Sequence, residues 1–199
     1  MPPGIYAVFG GAAETQAAAR NELLNHAAIA SVGVVLLLAV VLGSWRNLVL
    51  LLVNLPFALV GGVAAVAISG WIDPAAARLS IGTLVGFVTL FGITTRNSLM
   101  MVSHFDHLVH QEGQVWGMET ALRGATERVV PILMTASVTT LGLLPLALGS
   151  GQAGREIEGP MAIVILGGLV TSTALNLLVL PTLALRWGRF ERLPERDGS

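Results

Sequence analysis

The sequence predicts an all-α integral membrane protein whose chain crosses the bilayer five times. Three observations predict it. Of 199 residues, 54% are hydrophobic and 12% charged, where a soluble domain carries charge on about a quarter of its residues. The mean hydropathy is +0.76. The charges also leave long gaps: 23 uncharged residues between Glu22 and Arg46, 26 between Arg46 and Asp73, 26 between Arg128 and Arg155, and 27 between Glu158 and Arg186. A fifth gap, Arg78 to Asp106, is broken only by Arg96. A bilayer core of about 30 Å needs about 20 helical residues, so all five gaps are long enough. Finally, Trp45, Trp71 and Trp187 fall at the ends of these gaps, where interfacial aromatics belong.

Taken in order, MPPGIYAVFGG has neither a basic n-region nor an apolar h-region, so it does not read as a signal peptide. A strand or turn is expected there. An alanine-rich helix then starts near Glu14 and runs into the first span, about 27–43. The short SWR turn leads to the second span, 47–70, and the third follows at 80–103. Within 104–128, Val115, Met118, Leu122, Ala125 and Val129 recur at helical spacing, which predicts a short amphipathic helix on the membrane surface. The fourth span is expected at 129–149 and the fifth at 160–187, with a tail at 188–199. Glu156, Glu158 and Pro160 suit the start of that last helix. Pro56, Pro145 and Pro181 fall inside spans and are expected to kink them.

All eleven basic residues are arginine. Arg20, Arg78 and Arg155 fall on one side of the predicted topology. Arg46, Arg123, Arg128, Arg186, Arg189, Arg192 and Arg196 fall on the other. The positive-inside rule places the second side in the cytoplasm, with the N-terminus outside and the C-terminus inside. A net charge of −1 gives nucleic acid no footing. The absence of cysteine excludes thiolate chemistry and cysteine-based metal sites. No phosphate-binding loop, dinucleotide fingerprint, nucleophile elbow or nucleophile–base pair is visible, so neither an enzyme nor a cofactor is expected.

The polar residues within the spans carry the functional reading. Arg96 lies in TTRNS, inside the third span. A basic residue at that depth costs several kcal/mol and normally faces protein with a partner. Two readings stand. Arg96 snorkels to the interface, or it faces a polar bundle interior near Thr135, its anionic partner lying outside this chain. Thr94, Thr95, Asn97 and Ser98 favour the interior. In the fourth span Arg128, Pro131, Thr135, Thr139 and Gly142 share roughly one face. In the fifth, Gly168, Ser172 and Asn176 repeat every four residues beside Gly167 and Thr171, a spacing that suits close helix packing. His104, His107 and His110 at the membrane edge invite a metal reading, but i, i+3 spacing rotates the third away from the first two, and no metal site is assigned.

Several segments together resemble a known family. NLPFALVGGV, LFGITTRNSLMMVSHFDHL, ERVVPILMTASVTTLGLLPLAL and GPMAIVILGGLVTSTALNLLVLPTL look like the C-terminal membrane helices of resistance–nodulation–cell division efflux pumps, in the same order. MPPGIYAVFGGAAETQAA resembles the end of the last porter subdomain, so residues 1–26 would be that end and a lead-in helix. The resemblance implies spans eight to twelve of a twelve-span transporter. It implies that Arg96, Asn97, Thr135 and Arg128 belong to or adjoin the proton-relay network, whose acidic residues lie in a fourth span outside this chain. PFALVGGV and REIEGPMAIVILGG look more like the heavy-metal pumps than the drug pumps. The implied partners are the N-terminal half of the transporter, two further copies in a trimer, a periplasmic adaptor and an outer-membrane channel, with the transporter itself in the bacterial inner membrane. The alternatives are a drug-type module and a membrane scaffold that transports nothing by itself.

Overall fold

The computed structural model describes residues 12–72, 80–188 and 190. Five long helices make up nearly all of it: α1 Ala12–Leu42, α2 Trp45–Ile72, α3 Ile81–His110, α4 Met118–Leu148 and α5 Glu158–Trp187. Each is long and apolar enough to cross a membrane. The expected strand or turn at the N-terminus and the tail beyond Phe190 lie outside the described residues.

The helix ends have local causes. Gly43 reverses the chain between α1 and α2 at φ +56°, a conformation that glycine adopts without strain. Ser80 caps α3: its side chain accepts from the Thr83 N–H at 3.2 Å. Glu158 sits in the first turn of α5, beside the positive end of its dipole. In the preceding loop, the Gly154 N–H donates to Glu156 Oε1 at 3.0 Å. That bond, and then the residue's own backbone N–H, hold the Glu156 carboxyl below the usual carboxylate range. The helices run on through Pro56, Pro131, Pro145 and Pro181.

Residues 104–128 differ from expectation. α3 continues to His110, a short loop turns the chain, and α4 begins at Met118 and runs unbroken to Leu148. Of the expected stripe, Val115 lies in the loop and Met118, Leu122, Ala125 and Val129 fall in the first turns of α4 rather than in a separate surface helix. The reason is packing. Ala121, Gly124 and Ala125 are buried, and a Cβ on Gly124 would come within 2.9 Å of the Phe105 ring. Met118 and Leu122 face outward. This small-residue face holds α4 against the last turns of α3, so the helix has no reason to break.

α2, α3 and α5 form the packed centre. α4 leans on α3 and α5, and α1 touches only α2 and α3. Contact between α2 and α5 is close because glycines meet there: Gly61 faces Thr171 and the Gly167 carbonyl, and Gly167 faces Ala65. On α3, Gly86 meets Val164 and Met161, and Leu90 fills the space beside Gly168. Leu38, Leu48 and Leu51 pack α1 on α2, and the apolar core of the central helices has two layers. One contains Ala58, Val66, Leu90 and Val164. The other contains Leu50, Met101, Phe105, Ile132, Leu180 and Phe190. Its floor is an aromatic cluster, with Trp116 and Phe190 ring centroids 4.3 Å apart and Phe105 within 6 Å of both.

Candidate functional site

Between the two apolar layers lies a polar one. Each central helix passes from one layer to the other through it: Leu50, Asn54, Ala58 on α2; Leu90, Thr94, Ser98, Met101 on α3; Val164, Ser172, Asn176, Leu180 on α5. The side chains meet. Asn54 Nδ2 donates to Ser98 Oγ at 2.6 Å and to Asn176 Oδ1 at 2.8 Å. Ser98 Oγ donates to Asn176 Oδ1 at 2.9 Å, and Thr94 Oγ1 donates to Ser172 Oγ at 3.2 Å. Ser172 and Asn176 are fully buried. Hydrogen bonds between membrane helices are short-range and directional, so this seam sets the relative height and rotation of all three. At its edge, Thr95 Oγ1, Asn97 Nδ2, Thr173 Oγ1 and Asn176 Nδ2 are buried without a hydrogen-bond partner. Asn54 was missed from sequence, although an amide deep inside a 26-residue uncharged stretch is itself a signal.

Replacing Asn176 with leucine removes the acceptor shared by Asn54 and Ser98. It is expected to destabilise the chain by roughly 1–3 kcal/mol, since two buried donors lose their bond. Unfolding by SDS titration in mixed micelles measures this. Thr182→Val should change little, because Thr182 is exposed and its hydroxyl donates only to the Val179 carbonyl of its own helix.

Arg96 does not lie in this seam. Thr94, Thr95, Asn97 and Ser98 are buried, whereas Arg96 is exposed. The expectation that it faces the bundle near Thr135 is therefore corrected. At 100° per residue, position 96 points opposite to the mean direction of its four neighbours. Those neighbours face α2 and α5 and say nothing about the surroundings of Arg96. Val88, Thr89, Gly92, Arg96 and Ser103 form an open face of α3, and nothing lies within 4 Å of where a Gly92 Cβ would be. No ion pair or side-chain hydrogen bond joins Arg96 to another described residue.

The other anticipated residues are dispersed. Thr135 is half-buried, its hydroxyl donating to the Pro131 carbonyl at 3.0 Å. With Met134, Val138 and Thr139 it lines a shallow groove of about 440 Å³ on the outside of α4. Gly142, on the same stripe, has open space around it. Arg128 lies at the end of the bundle, donating from its NH2 to His104 Nδ1 at 3.2 Å, while its Nε is buried and unpartnered. His104 Nε2 lies 2.7 Å from Glu127, and Arg123 bridges Glu127 and Glu112. His107 neighbours Glu112 and His110 neighbours Asp106. The three histidines thus go to three different carboxylates, and no metal-holding group of three ligands occurs among the described residues. Gly167 and Gly168 line the α2–α5 and α3–α5 contacts.

Five helices long and apolar enough to span a bilayer, three of them joined by a buried amide–hydroxyl layer and one carrying an arginine on its outer face, define a multi-pass membrane domain. The profile of the AcrB/AcrD/AcrF family matches residues 1–185, and the chain belongs to that family of resistance–nodulation–cell division transporters. It is 37% identical over 184 residues to the cobalt-zinc-cadmium resistance protein CzcA of Cupriavidus metallidurans, covering 92% of this chain and 16% of that protein. The multidrug resistance protein MdtC of Erwinia tasmaniensis is 34% identical over 196 residues, 98% of this chain and 18% of that one. Among solved structures, a heavy metal efflux pump in its second crystal form superposes with a TM-score of 0.65 at 36% identity. That match covers 87% of this chain and 16% of the pump. The chain thus spans about a sixth of the length of the relatives it matches.

Proposed function

We propose that this chain supplies spans eight to twelve of a proton-driven efflux transporter that exports heavy-metal cations. The observation that carries the reading is the open face of α3. Arg96 stands on it midway along a 30-residue apolar helix, with no counter-charge among the described residues. A cation at that depth calls for an anion. No Asp or Glu lies within the uncharged stretches of the five spans. The carboxylates would come from the N-terminal half, docked on the Thr89, Gly92 and Arg96 face. Arginine cannot release its proton, so Arg96 would act as a fixed counter-charge while those carboxylates gain and lose theirs. Asn97 and Thr135 would adjoin the network, and Arg128 would anchor it at the cytoplasmic end. The N-terminus would be periplasmic, and the whole would work as an inner-membrane trimer with an adaptor and an outer-membrane channel. Substrate class rests on the identity to CzcA and the likeness to the heavy metal pump.

The test is co-expression. The chain and the N-terminal remainder of a heavy-metal pump are produced as two polypeptides in a metal-sensitive host. Tolerance to cobalt, zinc or cadmium is expected only when both are present. Tolerance to drugs alone would favour the MdtC-like reading, and no tolerance with both parts in the membrane would leave a scaffold. Gly92→Leu is expected to leave the chain folded, because no atom of it lies near that glycine. It should nevertheless block recovery of the N-terminal half in a pull-down, since small residues permit close helix approach.

A further inference from the structure

At the end of the bundle where α2 begins and α5 finishes, an open groove of about 620 Å³ separates the two helices. Its floor is apolar and includes Val53 and Leu183. Its rim carries Trp45 and Arg46 from α2, and Arg186 and Trp187 from α5. Both tryptophans are largely exposed, at 73% and 61%. Tryptophan settles at headgroup level, which places the rim at that depth and the floor beneath it among acyl chains. Among the described residues, no Asp or Glu lines the groove. Neither Arg46 nor Arg186 pairs with a described residue. Of the acids described at this end, Glu112 and Glu127 are bridged by Arg123, Asp106 lies beside His110, and Glu119, in the first turn of α4, does not line the groove.

We propose that this groove is a binding site for an anionic glycerophospholipid. The two guanidinium groups would hold the phosphate. The tryptophans would flank the glycerol region, and one acyl chain would lie along Val53 and Leu183. The charge pattern selects the lipid class. A zwitterionic headgroup brings its own cation towards two arginines with no carboxylate to receive it. An anionic headgroup presents only acceptors, and basic pockets between spanning helices favour such lipids. The apolar floor selects lipid over a free anion, which would leave it uncovered. The site is independent of Arg96 and of the transport reading.

The experiment uses the full chain in detergent micelles with dioleoyl phosphatidylglycerol and dioleoyl phosphatidylcholine at equal mole fraction, read by native mass spectrometry. Phosphatidylglycerol adducts are expected to exceed phosphatidylcholine adducts roughly tenfold. R46Q/R186Q should bring the two to parity, R46K/R186K should keep most of the preference, and R20Q should leave it intact. A second readout needs no change at the site. In a Trp71→Phe chain, brominated-chain phosphatidylglycerol should quench fluorescence more than brominated phosphatidylcholine, because Trp45 and Trp187 flank the groove. Equal binding of the two lipids, or a preference that survives R46Q/R186Q, overturns the proposal. So does displacement of phosphatidylglycerol by millimolar inorganic phosphate, which would mark a site for the free anion. Should R46Q/R186Q lose its helical circular dichroism, the quenching comparison decides.

Discussion

Gly167→Leu is expected to unfold the central bundle. A Cβ at Gly167 would collide with the Ala65 side chain and the Gly61 carbonyl, and the matching Cβ at Gly61 with Thr171 and the Gly167 carbonyl. Ala65 has no side-chain rotamer and the Gly61 carbonyl is backbone, so no rotamer change relieves the clash at Gly167. The helices must separate or slide, and either motion pulls Asn54 away from Asn176, now 2.8 Å apart. Overpacking a well-packed site costs about 1–3 kcal/mol and more where the backbone must move. The loss of the seam adds about 1 kcal/mol for each bond broken. The expected total exceeds 3 kcal/mol, a large fraction of a marginal stability. SDS titration should show Gly167→Leu unfolding at far lower detergent fraction than the wild type. Gly33→Leu is the control, since nothing lies within 4 Å of that glycine. A Gly167→Leu chain as stable as Gly33→Leu would show that the α2–α5 contact does not hold the bundle together.

Much of this fold was legible because membrane helices obey a coarse rule. Charge is expensive in lipid, so the uncharged gaps mark the spans. The same rule places the ends poorly. HFDHLVH is polar enough to read as a loop, yet it stays helical because Phe105, Leu108 and Val109 are buried near Gly124, Trp116 and Phe190. Of those partners, Gly124 lies across the loop on α4 and Phe190 lies past the end of α5, beyond the reach of a local reading. The Gly167, Gly168, Ser172, Asn176 spacing was readable as a packing face, but its companion Asn54 was not noticed. A solitary amide has no period to give it away, only its depth in an uncharged stretch.

TTRNS teaches the opposite lesson. Five consecutive polar residues look like one polar patch, but on a helix they sample every direction. Thr94 and Ser98 bond across to Ser172, Asn54 and Asn176, and Arg96 is left on the other side. Nothing local in the sequence separates these roles. The distinction depends on where α2 and α5 sit.

That geometry gives Arg96→Gln opposite effects on stability and on function. In the isolated chain the substitution removes an exposed charge from the middle of an apolar helix and breaks no bond, since Arg96 has no partner among the described residues. An unpaired arginine at that depth costs about 2.5–3.5 kcal/mol on insertion scales. Arg96→Gln should therefore leave the 199-residue chain as stable as before or more so. On the proposed reading, the same change in the assembled transporter would remove the fixed cation that the coupling carboxylates face. Their charged form then loses its counter-ion, and their protonated form is favoured at the working pH. Metal tolerance conferred by the two co-expressed parts is expected to fall to that of the host alone, with both polypeptides at normal levels in the membrane. Arg96→Lys keeps the charge and should retain part of the activity. A structural role would give the reverse order, with Arg96→Gln destabilising the chain and lowering its abundance before any loss of export. Undiminished tolerance with Gln at this position would show that Arg96 only snorkels to the interface and takes no part in coupling.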